Sequence, residues 1–220
     1  MTGASATQVG EDPLVTESRR RILAAAERLI GVHGIEKVRL RDIAREAGFS
    51  IGKIQHYFDN RDEIIEAMLS AASMRRVEEW ATFANDIDDP TAKMVSLLEH
   101  AITDRERCTV WLATTSVASR NEQFIPDVAR IYEAWRAKLT DVIEAGRRDG
   151  TFHPTAPVDE AADGIISTID GLMSAVAVGL PDYTPERNTR MLRHIAGLLL
   201  GTTLEPTRAD SDADSGSATQ

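Results

Sequence analysis

Four polar side chains fall within five residues of one another and together offer the chemistry needed to contact nucleic acid. They are Lys53, Gln55, His56 and Tyr57. The Gln55 amide can hydrogen-bond bidentately to adenine N6 and N7, and the Lys53 ammonium can donate to guanine O6 or N7. The Tyr57 hydroxyl suits a phosphate oxygen, which positions a protein on nucleic acid without specifying sequence. The spacing therefore suggests a nucleic-acid-binding surface.

Two short helical patterns joined by a turn are predicted to present these side chains. The first pattern has apolar residues at the i, i+3, i+4 and i+7 spacing of one helix face: Leu40, Ile43, Ala44 and Ala47. Gly48 supplies a left-handed stop, and the Ser50 hydroxyl can cap the next helix. The second pattern covers residues 51–58 and is expected to bury Ile51, Ile54 and Phe58. In the turn before it, Phe49 is also expected to be buried. Two helices around such a turn form a helix-turn-helix, whose second helix enters the major groove of DNA.

The charge distribution supports this assignment, although the net charge of the chain is −10. Residues 18–61 contain ten basic and five acidic residues, a net charge of +5, whereas residues 62–220 carry −12. A small basic region joined to a large acidic one is typical of a DNA-binding domain attached to an acidic partner domain. A solvated helical surface that is incidentally basic is the alternative, and charge alone does not decide between them.

Composition argues against several other classes of function. The chain has a single cysteine, Cys108, which fits a reducing cytoplasm and is expected to be a buried apolar residue. Its five histidines are scattered, so no metal site is predicted. The start of the chain does not resemble a secretory signal, and no apolar run of bilayer-spanning length is expected. Because no nucleophile–base pair, phosphate-binding glycine loop or metal set is found, the chain is predicted not to be an enzyme and to need no cofactor.

Helical periodicity continues along most of the chain and predicts an all-α protein. A first helix is expected at about 18–32 and a long helix from near Asn60 to 83. Further helices are predicted at 91–103, 105–119, 122–148, 158–179 and 184–201. Residues 1–16 and 205–220 are polar and without periodicity, so they are predicted to be a disordered leader and a disordered acidic tail.

The segment RRRILAAAERLIGVHGIEKVRLRDIAREAGFSIGKIQHYFDNRDEII, residues 19–65, resembles the N-terminal domain of TetR/AcrR-type bacterial transcriptional repressors. The match rests on Arg21-Ile22-Leu23, Ala25-Ala26, Gly34, Asp42-Ile43-Ala44, Ala47-Gly48, Ser50, Gly52 and Tyr57-Phe58. The resemblance implies a helix-turn-helix DNA-binding domain at 17–61 and a helical effector-binding and dimerisation domain at 62–204. It also implies a homodimer that binds a palindromic double-stranded operator and is released by a small-molecule effector, here of unknown identity. The alternative is an architectural or partner-binding helical protein without operator specificity or effector response.

Nine residues are expected to contact DNA: Arg39, Arg41, Ser50, Gly52, Lys53, Gln55, His56, Tyr57 and Arg61. Arg41 and Arg61 suit phosphates. The lack of a side chain at Gly52 is expected to let the helix approach the groove closely. Arg39 replaces a Thr that many family members carry, and Gln55 replaces a common Tyr. Three arginines at 19–21 are expected to form a flexible arm toward phosphate or the minor groove.

Apolar stripes in the last two helices suggest either a dimer interface or a hairpin buried within one chain. Periodicity alone leaves both open, and the resemblance favours the interface. The residues concerned are Ile165, Ile169, Leu172, Val176, Leu192, Ile195 and Leu199.

An effector pocket is expected where aromatic, sulfur-containing and small polar residues converge, although such residues are more often core. The candidates are Cys108, Trp111, Thr115, Phe124, Trp135 and Met173. Asp170 is unusual in its apolar surroundings and is expected to cap or pair near the interface.

Overall fold

A computed structural model describes residues 13–102 and 104–204, and side chains from residue 16 onward. Within these residues the chain forms nine α-helices and no strand, which confirms the all-α prediction. The helices are α1 Pro13–His33, α2 Leu40–Ala47, α3 Ile51–Ile54, α4 Arg61–Thr82, α5 Pro90–Ala101, α6 Arg105–Ala118, α7 Ile125–Asp149, α8 Val158–Val178 and α9 Pro185–Leu200.

The beginning of α1 differs from the expected helix boundary. The helix starts at Pro13, so residues 13–16 are helical and not part of a disordered leader. Proline is tolerated in a first helical turn because its missing N–H would have no intrahelical partner there. The predicted disorder at residues 1–12 and 205–220 lies outside the described residues.

The chain divides into two compact units between Ala71 and Ala72, within α4. The expected boundary was between residues 61 and 62, but the first turns of α4 belong to the N-terminal unit. This unit has a core of buried apolar side chains from α1 to α4: Ile22, Ala25, Ala26, Ile30, Ile43, Ala44, Ala47, Ile54, Phe58, Ile64, Ile65, Met68 and Leu69.

The helix-turn-helix forms with its predicted turn but with a shorter second helix. Gly48 adopts φ 71° and ψ 33°, and the Ser50 hydroxyl accepts the Lys53 N–H at 3.1 Å, as expected. However, α3 is only four residues long, and Ile51 is 45% exposed, so the prediction that it is buried was wrong. A helix of one turn has few inward positions. Here Ile54 and the following Phe58 fill the core instead.

The C-terminal unit is built around α8, which packs against α6, α7 and α9. Its most apolar 18-residue window has a mean hydropathy of 1.4, so α8 is long and apolar enough to cross a membrane by length and composition alone, a property that buried core helices share. The buried residues of α8 are part of the core of this unit, which accounts for the apolar composition of the helix.

Four of the predicted interface residues lie in this same core. Ile165, Ile169, Leu172 and Leu192 are 0–3% exposed, so their side chains are not available to a second copy of the chain. The apolar stripes that suggested an interface instead join α8 and α9 to the core of one chain. Val176, Ile195 and Leu199 are half-buried.

Candidate nucleic-acid interface and ligand site

The polar residues of the helix-turn-helix form an exposed surface. Lys53, Gln55 and His56 are exposed, whereas Tyr57 is half-buried. The Lys53 ammonium lies 5.1 Å from the centroid of the Tyr57 ring, and the His56 ring is 5.8 Å away on an edge-to-face geometry. Ser50 uses a lone pair to cap α3, so its hydroxyl hydrogen can still be donated to a phosphate. The predicted contact residues of α3 and of the residues that flank it are therefore brought together.

Gly52 lies on this surface and is not required by the packing of the chain. It is exposed, and a Cβ built on it would have no heavy atom of the described residues within 4 Å. The open space is consistent with the expected close approach of an external molecule.

The cations of the N-terminal unit divide into paired and exposed groups. Arg28 pairs with Glu46 and Arg45 with Asp42, each at 3.0 Å. Four further cations are exposed and form no ion pair with any described residue: Lys37, Arg39, Arg41 and Lys53. These four can meet phosphates without breaking a pair. Lys37 was missed from sequence because it lies outside both helical patterns, in the 3-10 turn Ile35–Lys37.

The arginines at 19–21 belong to α1 and do not form a flexible arm. The Arg19 guanidinium donates to the Tyr57 carbonyl at 2.8 Å and lies 4.3 Å from the Phe58 ring centroid. Arg21 donates to the Ala47 carbonyl at 2.8 Å. Two of the three arginines therefore hold the end of α2 and the turn after α3 in place.

Arg61 is also engaged within the chain, which changes its expected role. Its Nε donates to the Val38 carbonyl at 2.6 Å, and a terminal nitrogen donates to the Ile35 carbonyl. Another terminal nitrogen pairs with Asp62. The Arg61 guanidinium thus holds the segment before α2 in place. This structural role accounts for a basic residue at position 61 without a contact to phosphate.

A cluster of aromatic rings lies in the C-terminal unit, formed by Trp80 of α4, Trp111 of α6, and Tyr132 and Trp135 of α7. We call these four residues the aromatic cluster. Trp135 is central: its ring centroid is 5.8 Å from Trp80, 5.4 Å from Trp111 and 5.9 Å from Tyr132. The three tryptophans are all that the chain contains.

Asp170 of α8, which was expected to cap or pair near the dimer interface, pairs with two residues of this cluster. It accepts hydrogen bonds from Trp111 Nε1 at 3.1 Å and from the Tyr132 hydroxyl. Burial raises the pKa of the Asp170 carboxyl, although these two hydrogen bonds act in the opposite direction. The pKa of Tyr132 is also raised, first by burial and then by its hydrogen bond to Asp170. Trp135 Nε1 is buried and finds no hydrogen-bond acceptor among the described residues.

The aromatic cluster contains only two of the predicted pocket residues, Trp111 and Trp135. Cys108 and Met173 lie in the core, and burial raises the pKa of the Cys108 thiol to about 11. The Thr115 hydroxyl donates to main-chain carbonyls of its own helix, and Phe124 is buried in the turn before α7. Trp80, Tyr132 and Asp170 were not predicted, because only the fold brings residues from four helices together.

A cleft of about 120 Å³ reaches the aromatic cluster at Trp80. The Phe83 and His100 rings contact each other in its wall, tilted by 50° with centroids 4.7 Å apart, and Arg107 pairs with Glu79 at 2.5 Å. Trp80 and Tyr132 are half-buried, whereas Trp111 and Trp135 are buried. The two half-buried rings therefore lie nearer to solvent than the rest of the cluster.

Comparison with known proteins matches both units to families of regulators. Residues 22–68 match the family described as bacterial regulatory proteins, tetR family. Residues 91–201 match the family described as BetI-type transcriptional repressor, C-terminal.

Individual relatives carry names of the same kind. The HTH-type transcriptional regulator PksA of Bacillus subtilis is 26% identical over 200 residues, which cover 85% of this chain and 92% of PksA. BetI of Rhizobium meliloti is 26% identical over 169 residues, covering 75% of this chain and 79% of BetI. A transcriptional regulator from Saccharomonospora viridis, solved in complex with choline, is 29% identical with a TM-score of 0.69. The match covers 81% of this chain and 95% of the chain from Saccharomonospora viridis.

Proposed function

The chain belongs to the TetR family of bacterial DNA-binding transcriptional regulators, and we propose that it is a homodimeric repressor released from its operator by a small organic cation. It acts on DNA in the cytoplasm. The observation that carries the choice of effector is the position of the Asp170 carboxylate against the aromatic cluster.

The DNA contacts follow from the exposed surface of the helix-turn-helix. Gln55 and Lys53 reach base edges, and Ser50, His56 and Tyr57 lie beside them. Exposed cations at Lys37, Arg39 and Arg41 bind phosphates and make the affinity salt-dependent: these three lie before α2 and in its first turn. Arg61 keeps a supporting role through its bonds to main-chain carbonyls.

The effector site has the chemistry of a cation site. The faces of indole and phenol rings attract cations, by about 0.5–2 kcal/mol per ring and more when the cation is shielded from water. Asp170 supplies a negative charge beside two of these rings, Trp111 and Tyr132, and its burial leaves that charge poorly compensated by solvent. Choline bound to the regulator from Saccharomonospora viridis supports a quaternary ammonium as the class of ligand.

Trp135 narrows the chemistry of the ligand further. Its buried N–H lacks an acceptor within the described chain, and an unmade hydrogen bond of this kind costs about 1–3 kcal/mol. A ligand with a hydroxyl or carbonyl oxygen near its cationic group would accept that N–H. Choline has this arrangement, whereas tetramethylammonium does not.

Effector binding can act on DNA binding through α4. Trp80 belongs to this helix, and the first turns of the same helix belong to the N-terminal unit. A ligand that displaces α4 at Trp80 would therefore act on a helix whose first turns belong to the DNA-binding unit.

Titration of choline into the full-length protein, followed by tryptophan fluorescence and calorimetry, tests the effector site. All three tryptophans belong to the aromatic cluster, so the fluorescence reports on this site alone. We expect saturable binding in the wild type and a loss of at least tenfold in Asp170→Asn. The uncharged analogue with carbon in place of the quaternary nitrogen is the ligand control. Equal binding of choline and this analogue would contradict a cation site.

The matched protein control is Asp163→Asn. Asp163 lies on the same helix and pairs with Arg136 at 2.7 Å, on the protein surface. This variant loses one negative charge of α8 but should bind choline as the wild type does. An equal loss in both variants would indicate a general charge effect and not a site at Asp170.

A further inference from the structure

An apolar side chain lies in the middle of the polar surface of α3. Ile51 is 45% exposed, and Gly52, Lys53 and Gln55 beside it are all exposed. Ile54 and Phe58 fill the core of the N-terminal unit at this point, so the packing of the unit does not use the Ile51 side chain. That side chain is therefore available to contact a bound molecule.

Ile51 and Gln55 lie on the same face of the helix. The Gln55 N–H donates to the Ile51 carbonyl at 2.9 Å, the bond that places residues i and i+4 one above the other. With a rise of about 1.5 Å per residue, the two side chains start about 6 Å apart along the helix. Base pairs are stacked about 3.4 Å apart, so this distance corresponds to about two base-pair steps.

The major groove offers one apolar group to such a side chain. Base edges there carry hydrogen-bond donors and acceptors, and thymine alone adds a 5-methyl group. We propose that Ile51 reads the 5-methyl group of a thymine within two base pairs of the base that Gln55 contacts. This inference rests on the proposed DNA contact of α3. The basic charge of residues 18–61 and the open space above Gly52 identify DNA as the molecule that covers Ile51.

Replacement of thymine by deoxyuridine removes only this methyl group and so tests the contact directly. An operator is first selected from random double-stranded DNA with the full-length protein, and each thymine of a half-site is then replaced in turn. Burial of one methyl group contributes about a fourfold change in affinity. We expect one thymine per half-site to show this loss in the wild type, and roughly a fifteenfold loss when both half-sites are changed.

Ile51→Ala should bind the thymine operator more weakly and be indifferent to deoxyuridine at that position. Because Ile51 is exposed, the variant should unfold at the wild-type temperature, which separates loss of contact from loss of fold. Val32→Ala is the matched control. Val32 is also exposed, at 58%, but lies on α1, so this variant should keep the full response to deoxyuridine.

Two results would overturn the inference alone: a specific operator that responds to deoxyuridine at no thymine, or an Ile51→Ala variant with the wild-type response. Binding without any sequence preference would contradict the proposed function as well. The two failures are therefore distinguishable in one series of measurements.

Discussion

Asp170 is the residue on which the effector chemistry depends. Two hydrogen bonds orient its carboxylate, and burial makes its negative charge more costly than in water. A buried carboxylate of this kind is stabilised by a cation placed beside it.

Choline affinity should therefore decrease as the pH is lowered through the raised pKa of Asp170. Below that pKa the carboxyl is protonated, and the attraction for the cation is lost, whereas above it the affinity is constant. Proton linkage limits the decrease to about tenfold per pH unit. Calorimetry from neutral to mildly acidic pH measures the slope, since choline itself does not titrate in this range. Asp170→Asn should show no such slope, and an unchanged slope in this variant would assign the pH dependence to another group.

On the DNA-binding surface, Gly52 is the residue whose substitution best tests how closely DNA approaches. Gly52→Ala should leave the unfolding temperature unchanged or raise it, because alanine favours a helix by up to about 1 kcal/mol and its methyl group would meet no atom of the described residues. Operator affinity should fall about fivefold or more, since an added methyl group in a close-packed contact costs about 1–3 kcal/mol. Thermal unfolding and fluorescence anisotropy measure the two effects. Unchanged affinity would mean that DNA does not approach Gly52 closely.

At the scale of elements, arginines of the N-terminal unit hold its irregular segments in place. Arg19, Arg21 and Arg61 each donate to a main-chain carbonyl at the end of a helix or turn. Carbonyls at helix ends lack intrahelical donors, so a guanidinium there replaces a missing bond. Part of the basic charge of this unit is thus structural.

Arg61→Ala and Arg41→Ala should separate structural from phosphate-binding charge. Arg61→Ala loses hydrogen bonds from a charged donor and should destabilise the N-terminal unit by about 1–3 kcal/mol. Arg41→Ala should leave the stability unchanged and reduce the salt dependence of operator binding by about one counterion per contact. Thermal unfolding and affinity at several salt concentrations distinguish the two. The interpretation fails if Arg41→Ala is the less stable variant.

Local patterns predicted much of this architecture and little of its long-range detail. Gly48 and Ser50 were predicted because the stop and the cap act within a few residues of the chain. The bond from Arg19 to the Tyr57 carbonyl joins residues 38 positions apart, and no periodicity predicts it. The apolar stripe of α8 was assigned to the wrong partner, since burial within a chain and burial between chains give the same pattern. The aromatic cluster was only half predicted for the related reason that its members come from separate helices.

At the scale of the whole molecule, we propose that the outer faces of α8 and α9 form the dimer interface. On α8, Gly171 and Ser174 are exposed, and Val178 is 63% exposed. On α9, Leu198 is 67% exposed. These positions lie opposite the stripes buried in the core, so they can join two chains without disturbing either one.

Leu198→Asp should convert the dimer to a monomer without loss of helicity. The substitution would bury a charge in each half of a two-fold interface and bring two like charges together. Light scattering measures the mass, and circular dichroism measures the fold. Ile125→Asp is the control, because Ile125 is 53% exposed but lies at the start of α7. A dimer that survives Leu198→Asp would place the interface elsewhere.

The central claim is that a cation at Asp170 releases the protein from its operator. Anisotropy of a labelled operator, selected from random DNA, measures this directly when choline is added to the wild type and to Asp170→Asn. We predict that both proteins bind the operator without choline, and that choline releases only the wild type, at concentrations that also change its tryptophan fluorescence. Release of both proteins at the same choline concentration, or of neither, would contradict the account.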